Sequence, residues 1–541
     1  METRCQDAQD KRLDVAIVGA GVGGCYIAYR LILHARTAHA SHPRIALFEG
    51  SARIGGRLWS LRAPQFPGTL LELGGMRFNS AERRVSSLVR HLGLAGEIRP
   101  FFSWRPENIV YARGVRLRSV DLRAARPTPA LPFELDPAER GRDASDLEEA
   151  AIETALPGFR RLRGQYHRAC HADDWGQARA IGTRYAELRS QPSLGGGLLQ
   201  DLSWPEFLDT KLSEEAVKFI RATDGYDNYN TNGNAAESAD RMFRVPPDGA
   251  FMTLAGGMQS LPTTLHEMFS AAGGATFLQH RLHRIEQTSA ASAEPAFRLA
   301  FHSREGSGEG GERPVTVYAR RVVLAMPPQA AWQIHSNRPV LGETAGNGVG
   351  TVKGIPALKI FLAYPNPWWE QAGVTVGRST TDLPLRQAWY LPGGQAGAAI
   401  MAAYPAGAAV RYWDRYLPGQ HVGVVPLGPS ERGRAVGSAA AMAANAHRML
   451  GEMHGVTEAP EPTAVAWQDW GEAAWHARRP GHSPQDAGSL LAPPGPLHLV
   501  SDCWTSSPGS VDGTLRAAEL VLRQHLGCGV PEWLAGKDDW E

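Results

Sequence analysis

The stretch that decides the fold runs from Leu13 to Leu33 and reads LDVAIVGAGVGGCYIAYRLIL. A short apolar run rich in β-branched residues is followed by a glycine turn and then by apolar residues at helical spacing. Gly19, Gly21 and Gly24 form a GxGxxG pattern, in which the first glycine permits a tight turn, the second lets the backbone approach a pyrophosphate and the third lets the helix pack closely. The stretch therefore predicts a strand, a turn and a helix whose N-terminus faces phosphate groups.

The residues that follow support a dinucleotide site. The segment RIALFEG, ending at Gly50, predicts the next parallel strand, and Glu49 lies at its end. An acidic side chain at this point accepts hydrogen bonds from ribose hydroxyls and disfavours a 2′-phosphate. The motif RIGGR comes next, where the amide of Gly56 and the cations of Arg53 and Arg57 suit phosphate.

The composition is that of an ordinary globular protein. With 541 residues the chain exceeds what one hydrophobic core usually supports, so we expect two or three domains. The formal net charge of +1 gives no reason to expect nucleic acid or a membrane surface as a partner. The N-terminal segment lacks the apolar region of a secretory signal, and no segment approaches the ~18 apolar residues of a membrane span. Five scattered cysteines without CxxC spacing predict no metal site and favour a reducing cytoplasm.

Strand-like and helical patterns alternate in blocks that predict an interleaved α/β architecture. We expect a Rossmann-type dinucleotide-binding domain, a mixed-sheet substrate domain with a hairpin at Gly114, and a helical subdomain. In chain order the dinucleotide-binding domain takes residues 13–66, 250–337 and 463–529, the substrate domain 67–133 and 338–462, the helical subdomain 134–249, and the tails 1–12 and 530–541.

The series of motifs resembles that of the flavin-dependent amine oxidase family. The family has GxGxxG, an acidic strand end, GGR and then a glycine pair, and this chain repeats that order up to ELGGMRF at 72–78. The likeness continues over nearly the full length, with AGGMQSLPTTL at 255–265, RRVVLAMPP at 320–328, ALKIFLAYPNPWW at 357–369 and SDCWTSSPGSVDGTL at 501–515. The resemblance implies FAD as the cofactor and the architecture that amine oxidases share with the PHBH-like flavoproteins.

Within the family the chain is most similar to the L-amino acid oxidases, including the tryptophan oxidases of indole-pigment biosynthesis. Two stretches carry this likeness: ELGGMRF and GRSTTDLPLRQAWYLP at 377–392. The resemblance implies hydride transfer from Cα to flavin N5, giving an imino acid that hydrolyses to a 2-oxo acid and ammonium, while dioxygen becomes hydrogen peroxide. Two alternatives stay open: a monooxygenase that decarboxylates the amino acid to an amide, and a binding protein that kept the fold without its redox role.

The arginine in ELGGMRF is the candidate for the substrate carboxylate. In the relatives this arginine binds the carboxylate and an aromatic donor after DLPxR assists it, which implies Arg77 and either Trp389 or Tyr390. A guanidinium pairs bidentately with a carboxylate, and strand alternation lets only one of the two aromatic side chains face the site. The other interpretation of Arg77 is an internal salt bridge to Glu72 or another acid.

Lys359 lies in an apolar strand, where a lysine is costly unless it is paired. The resemblance implies that it holds a water near flavin N5 and assists reoxidation. The alternative is an edge-strand lysine that points to solvent, as we expect of Lys353.

The resemblance implies further contacts to the cofactor. Asp502 corresponds to an acid beside the ribityl chain and pyrophosphate, and Val511 begins a last helix whose N-terminus stabilises negative charge on the reduced ring. We also expect Leu282, in the segment RLHRIEQT, to contact FAD. The remaining expected contacts lie under the flavin ring, at Gly74, Gly75 and Met76.

The chain departs from the family pattern near the substrate. Many relatives carry an aromatic residue where this chain has Ser510, so we expect a roomier or more polar wall there. Trp470 and Trp475 are candidates for the pocket wall or for the core. The segment before the last strand contains no cysteine, which predicts noncovalent FAD, and we expect a homodimer.

Asp224, Tyr226, Asp227 and Tyr229 lie in RATDGYDNYNTNGN, where the family's helical domain meets the site entrance. Acids there would favour cationic substrates. Ordinary loop chemistry explains the same residues equally well.

Overall fold

Two eight-stranded sheets and a block of helices form the molecule. The computed structural model describes residues 12–37, 43–124, 126–193, 196–227, 233–246, 250–288, 296–305, 311–336, 351–393, 397–417, 419–428, 438–483 and 496–536.

The first sheet contains the strand of the glycine motif at its centre. Leu13–Val18 pairs in parallel with Ile45–Phe48 on one side and with Arg313–Leu324 on the other, and its residues are almost all buried. The strand order is Ala275–Phe277, Ile45–Phe48, Leu13–Val18, Arg313–Leu324, Phe297–Ser303, His280–Gln287 and His335–Ser336, with Leu497–Leu499 also pairing with Arg313–Leu324. The expected strand, turn and helix are confirmed, because Val22–Thr37 is a helix that follows the turn directly.

The second sheet is mostly antiparallel. It includes the expected hairpin at Gly114, whose φ is +78°, between Ile109–Ala112 and Val115–Arg118. The strand order is Val422–Pro426, Ala464–Asp469, Leu358–Tyr364, Ala398–Ala403, Gln387–Tyr390, Gly377–Thr381, Ile109–Ala112 and Val115–Arg118.

Three small sheets lie beside the large ones. In the first of them Phe251–Leu254 pairs with both Phe78–Asn79 and Ile98–Phe101. The other two pair Ser60–Leu61 with Leu71–Glu72, and Val352–Ile355 with Trp475–Arg478.

Six of the described helices lie in the block 134–249 that was expected to be helical. The helices are Val22–Thr37, Arg83–His91, Ala144–Ala155, Phe159–His171, Trp175–Arg189, Trp204–Asp209, Glu214–Thr223, Ala235–Arg244, Ser260–Ala271, Pro328–Trp332, Ser438–His454 and Val511–His525. The helical block has its own apolar core, which includes Trp204, Phe219 and Phe243.

Some strands pair with segments that the sequence assigned to the other domain, as Trp475–Arg478 does with Val352–Ile355. Ala464–Asp469 pairs with Leu358–Tyr364 inside the second sheet, so the chain returns to the first sheet later than residue 463. Phe251–Leu254 pairs with strands of the 67–133 segment rather than with the first sheet. Backbone hydrogen bonds to distant strands decide these memberships, and local patterns do not reveal them. The rest of the domain division stays a prediction.

Within the described ranges, no helix combines the length and the apolar character needed to cross a bilayer. The same part of the chain contains no cluster of His, Cys, Asp and Glu suited to a metal ion. Its four cysteines, Cys25, Cys170, Cys503 and Cys528, are buried free thiols.

Candidate active site

A cavity of about 980 Å³ extends between the two sheets and the helical block. Its lining includes most of the residues that the sequence singled out, although they come from segments hundreds of positions apart. Gly24, Trp389 and Tyr390 are the expected site residues that do not line it.

The glycine motif brings backbone close to the cavity. Gly19 has a φ of +107°, and a Cβ atom there would lie 2.2 Å from the carbonyl oxygen of Ala325. A Cβ atom on Gly24 would lie 1.9 Å from the carbonyl oxygen of Gly19, which explains a role in packing rather than in lining. Gly56, with a φ of +57°, lies against Gly21, since its Cβ position is 3.1 Å from the Gly21 Cα. Only glycine fits these positions, so backbone amides reach the cavity wall.

Glu49 and Arg53 lie at the end of the second strand, as expected. The Glu49 carboxylate accepts hydrogen bonds from the backbone N–H groups of Ala20 and Ser51, both at 2.8 Å, and it still lines the cavity. Arg53 lies over the Trp59 ring at 4.0 Å and donates to the Gly56 carbonyl oxygen. Burial lowers the pKa of Arg53 to about 10.

Arg57 and Asp502 form a buried ion pair between the beginning and the end of the chain. The Asp502 carboxylate also accepts from the Gly509 backbone N–H at 2.7 Å. Burial alone would raise the pKa of Asp502, but the charges of Arg57 and His476, together with the hydrogen bonds from Arg57 and Gly509, outweigh burial and lower that pKa to about 2. Both residues line the cavity, so the Arg57 cation expected to bind phosphate shares its charge with Asp502.

Arg77 lies half-buried in the cavity wall. Its guanidinium donates to the hydroxyl of Ser103 and, at 3.0 Å, to the hydroxyl of Tyr226. It stacks on Phe251 at 4.0 Å. Within the described residues no carboxylate lies at ion-pair distance from it. The alternative of a salt bridge to Glu72 is wrong, because Glu72 accepts hydrogen bonds from Ser60 and Met258 instead.

The strand Gln387–Tyr390 settles which aromatic side chain faces Arg77. The Trp389 ring lies 5.4 Å from the Arg77 guanidinium and 5.4 Å from the Phe101 ring. Its indole N–H donates to the Gln387 side chain at 3.0 Å, which commits that donor within the protein. Tyr390 points to the opposite face of the strand, so it is not a carboxylate ligand.

Tyr390 belongs to the core of the second sheet. Its hydroxyl donates to Ser379 at 2.5 Å and lies 2.8 Å from His454 Nε2. The assignment of Tyr390 to the substrate site is therefore corrected by the alternation of side chains along this strand.

Lys359 is buried, with 2% of its surface exposed, and it does not point to solvent. Its Nζ donates to the carbonyl oxygens of Glu72 at 2.9 Å and Gly74 at 2.6 Å, and it lies 3.7 Å from the sulfur of Met76. Burial lowers the pKa of Lys359 to about 7, and the charge of Arg77 acts in the same direction. Lys353, in contrast, is exposed as expected.

Val511 begins the last helix, Val511–His525, and lines the cavity at the helix N-terminus. Ser510 is the N-cap: its hydroxyl accepts from the Gly513 backbone N–H at 2.9 Å and donates to the Ser507 carbonyl oxygen at 3.0 Å. The hydroxyl is thus committed to the helix start, while Ser510 itself lines the cavity, and its place in the wall of the substrate pocket stays a prediction.

Apolar and aromatic residues form another part of the cavity wall. Trp470 lines the cavity and donates its indole N–H to the Leu73 carbonyl oxygen at 2.7 Å, and Trp475 lines the cavity beside it. Leu282, Gly74, Gly75 and Met76 also contribute to the lining.

The structure adds residues that sequence patterns did not identify as ligands. Tyr226 was noted as an entrance residue, and its contact with Arg77 gives it a role in the site. No sequence pattern pointed to Ser103, Phe251 or Tyr404. Ser103 and Phe251 contact Arg77, and the Tyr404 ring lies 4.8 Å from Lys359 Nζ, only through tertiary packing. Asp227 forms an ion pair with Arg386 at 2.7 Å, so its carboxylate has a partner within the protein and is not available to a cationic substrate. Tyr229 lies outside the described residues.

The cavity fits a flavin dinucleotide on three observations. Gly21 lines the cavity and a Cβ atom there would meet no atom nearer than the Gly56 Cα at 3.9 Å, two helices begin at the cavity wall at Val22 and Val511, and the expected ribose acid Glu49 lines it. Helix N-termini and open backbone amides favour phosphate groups and a reduced, negatively charged ring. The fold and the site thus define a dinucleotide-binding flavoprotein.

Comparison with known proteins agrees with this class. The model of the family described as flavin containing amine oxidoreductase matches residues 23–522. The chain belongs to this family.

Several relatives carry names of their own. Achacin from Lissachatina fulica is 29% identical over 415 residues, with 74% of this chain and 71% of the relative covered. Aplysianin-A from Aplysia kurodai is 26% identical, with 96% and 92% covered. An L-amino-acid oxidase from Notechis scutatus scutatus is 24% identical, with 70% of this chain and 62% of the relative covered.

Solved structures share the fold. Cyclohexylamine oxidase from Brevibacterium oxydans IH-35A has a TM-score of 0.56 at 19% identity, with 94% of this chain and 97% of that chain covered. A putrescine oxidase variant redesigned in its cofactor binding has a TM-score of 0.60 at 18% identity, with 95% and 99% covered.

Proposed function

We propose that this chain catalyses the FAD-dependent oxidative deamination of an L-amino acid to the 2-oxo acid, with ammonium and hydrogen peroxide as the other products. The observation that carries the proposal is Arg77, a cavity-lining guanidinium held by two hydroxyl groups, with no carboxylate at ion-pair distance within the described residues. A cation in that setting suits an anionic ligand, and the α-carboxylate of an amino acid is such a ligand. The relatives named L-amino-acid oxidase support the same class of substrate.

The side chains around Arg77 position the substrate. Ser103 and Tyr226 fix the plane of the guanidinium, so a carboxylate that binds it bidentately has one orientation. Tyr226 accepts from Arg77 through its oxygen, and we propose that its hydroxyl also donates to the carboxylate, a role that the committed Trp389 N–H does not fill.

Lys359 and the last helix act beside the cofactor. The Lys359 amine, with a pKa of about 7, takes up or releases a proton at Nζ near neutral pH while two carbonyl oxygens hold it in place. The N-terminus of the last helix, at Val511, stabilises negative charge placed beside that end of the helix. When bound, FAD would supply the redox chemistry of the reaction, namely hydride acceptance and electron transfer to dioxygen, and the residues that line the cavity would hold it in place. No cysteine among the described residues lines the cavity, which supports noncovalent binding.

A panel of the common L-amino acids, assayed for peroxide with purified yellow protein, tests the proposal. We expect turnover of at least one of them, a 2-oxo acid by mass spectrometry, and a large loss of turnover in Arg77→Lys with the flavin spectrum unchanged. An amide product in place of the 2-oxo acid would show that the protein is a monooxygenase that decarboxylates the amino acid. Unchanged kinetics in Arg77→Lys would contradict the proposal that Arg77 binds the substrate carboxylate.

The cytoplasmic location and the homodimer belong to the same proposal. Light scattering on the purified protein tests the dimer, and a monomer mass contradicts it.

A further inference from the structure

A second group of cations lines the same cavity away from Arg77, on the side of the helical block. Arg244 comes from the helix Ala235–Arg244, and Arg516 comes from the helix Val511–His525. Both reach the loop before the last helix. Arg244 donates to the Ser507 hydroxyl at 2.7 Å and to the Ser506 carbonyl oxygen, and Arg516 donates to the Ser506 hydroxyl at 2.6 Å. We call these four residues the arginine–serine cluster.

Two carboxylates on this side of the cavity already pair with arginines outside the cluster. Asp512 pairs with Arg84 at 2.8 Å, and Asp240 pairs with Arg189 at 3.2 Å. Among the described residues no carboxylate lies at ion-pair distance from Arg244.

The two other acids that line this side are held toward their neutral form. Burial, with the charge of Asp512, raises the pKa of Glu82 to about 8. Burial raises the pKa of Glu237 to about 7. Near neutral pH these two acids therefore offset the positive charge of the arginines on this side less than fully ionised carboxylates would.

We propose that the arginine–serine cluster is an oxyanion-binding subsite, separate from the carboxylate site at Arg77. Each serine hydroxyl accepts a hydrogen bond from an arginine, so its own hydrogen is directed to another acceptor, and guanidinium and hydroxyl donors together are the groups that carboxylates and phosphates prefer. Two sources supply this chemistry: the distal carboxylate of an acidic amino acid substrate, or a free oxyanion such as inorganic phosphate. The opposing interpretation is that the arginines only brace the loop.

Calorimetric titration of the flavin-bound protein with inorganic phosphate, at low ionic strength, tests the subsite without any turnover. We expect saturable binding that weakens at least about tenfold in Arg244→Gln and less in Arg244→Lys, which keeps the charge. Arg168→Gln, at an exposed arginine of the helix Phe159–His171, is the matched control and should leave binding unchanged. Melting temperatures show whether each variant is folded.

A kinetic comparison distinguishes the two sources, and this arm alone rests on the proposed function. A preference in kcat/KM for L-glutamate over L-glutamine that disappears in Arg244→Gln assigns the distal carboxylate of a substrate. Phosphate binding without such a preference assigns a free oxyanion. Absence of phosphate binding together with absence of the glutamate preference, or equal effects of Arg168→Gln and Arg244→Gln, would overturn the subsite.

Discussion

The Tyr226 hydroxyl contacts Arg77, so a change at Tyr226 tests the proposed carboxylate site. In Tyr226→Phe, Arg77 loses one of its two hydroxyl partners and the carboxylate loses a donor, so we expect KM to rise about tenfold or more because hydrogen bonds to charged groups contribute about 1.5–3 kcal/mol. Steady-state peroxide assays measure the change. Tyr364→Phe removes a hydroxyl that contacts His447 away from the cavity and is the control. An unchanged KM in Tyr226→Phe would contradict the assignment.

Lys359 makes stability depend on pH in a direction set by its burial. Its pKa is about 7 when folded, against 10.5 for an ordinary lysine, so between these values the unfolded chain binds a proton that the folded chain does not. The cost of burying the amine therefore falls as pH rises through this window. We expect Lys359→Met to be more stable than the parent at about pH 7, with a difference that shrinks toward pH 10.

Thermal unfolding of both proteins across that range checks the Lys359 prediction, and a constant difference would refute it. The exposed Lys353→Met has no buried amine to relieve and should show no such trend.

At the scale of elements, the strand Gln387–Tyr390 separates two adjacent aromatic residues. Trp389 packs in the cluster beside Met76 and Tyr226, whereas Tyr390 packs in the core of the second sheet. We expect Trp389→Phe to change KM and also to lower the free energy of unfolding, because the buried Gln387 oxygen loses its indole donor. We expect Tyr390→Phe to lower the free energy of unfolding by about 1–3 kcal/mol, because the buried Ser379 hydroxyl and His454 Nε2 both lose their contact with the Tyr390 hydroxyl, and to leave KM unchanged. A KM that changes in Tyr390→Phe but not in Trp389→Phe would mean that the Tyr390 side of the strand faces the site.

These elements show how far the sequence alone leads. The glycine motif and Glu49 lie in one contiguous βαβ unit, so local spacing predicts their geometry. The choice between Trp389 and Tyr390 was not predictable, because both faces of the strand are buried and alternation does not say which one meets the site. The partners of Arg77 were not predictable either, since Ser103 and Tyr226 come from other segments and meet it only through tertiary packing.

At the scale of the whole molecule, Arg57 and Asp502 join segments that are 445 positions apart. The beginning and the end of the chain thus share one sheet and one ion pair, which agrees with the interleaving expected from the sequence. The exact boundaries depend on pairings such as that of Ala464–Asp469 with Leu358–Tyr364, which only the folded sheet reveals.

This ion pair predicts how the molecule responds to acid. The pKa of Asp502 is about 2 when folded and 3.8 in an ordinary aspartate, so its contribution to stability is present above about pH 3.8 and is lost as pH falls through about 2. In Asp502→Asn, partly buried Arg57 loses its anion, and we expect the free energy of unfolding at neutral pH to fall by about 3 kcal/mol. Unfolding free energies measured from neutral to acidic pH should show that the parent is more stable than the variant at neutral pH, and that this difference falls only below about pH 3.8. Asp414→Asn, at an exposed site, should stay within about 0.5 kcal/mol of the parent, and an Asp502 variant that behaves in the same way would show that the pair contributes nothing.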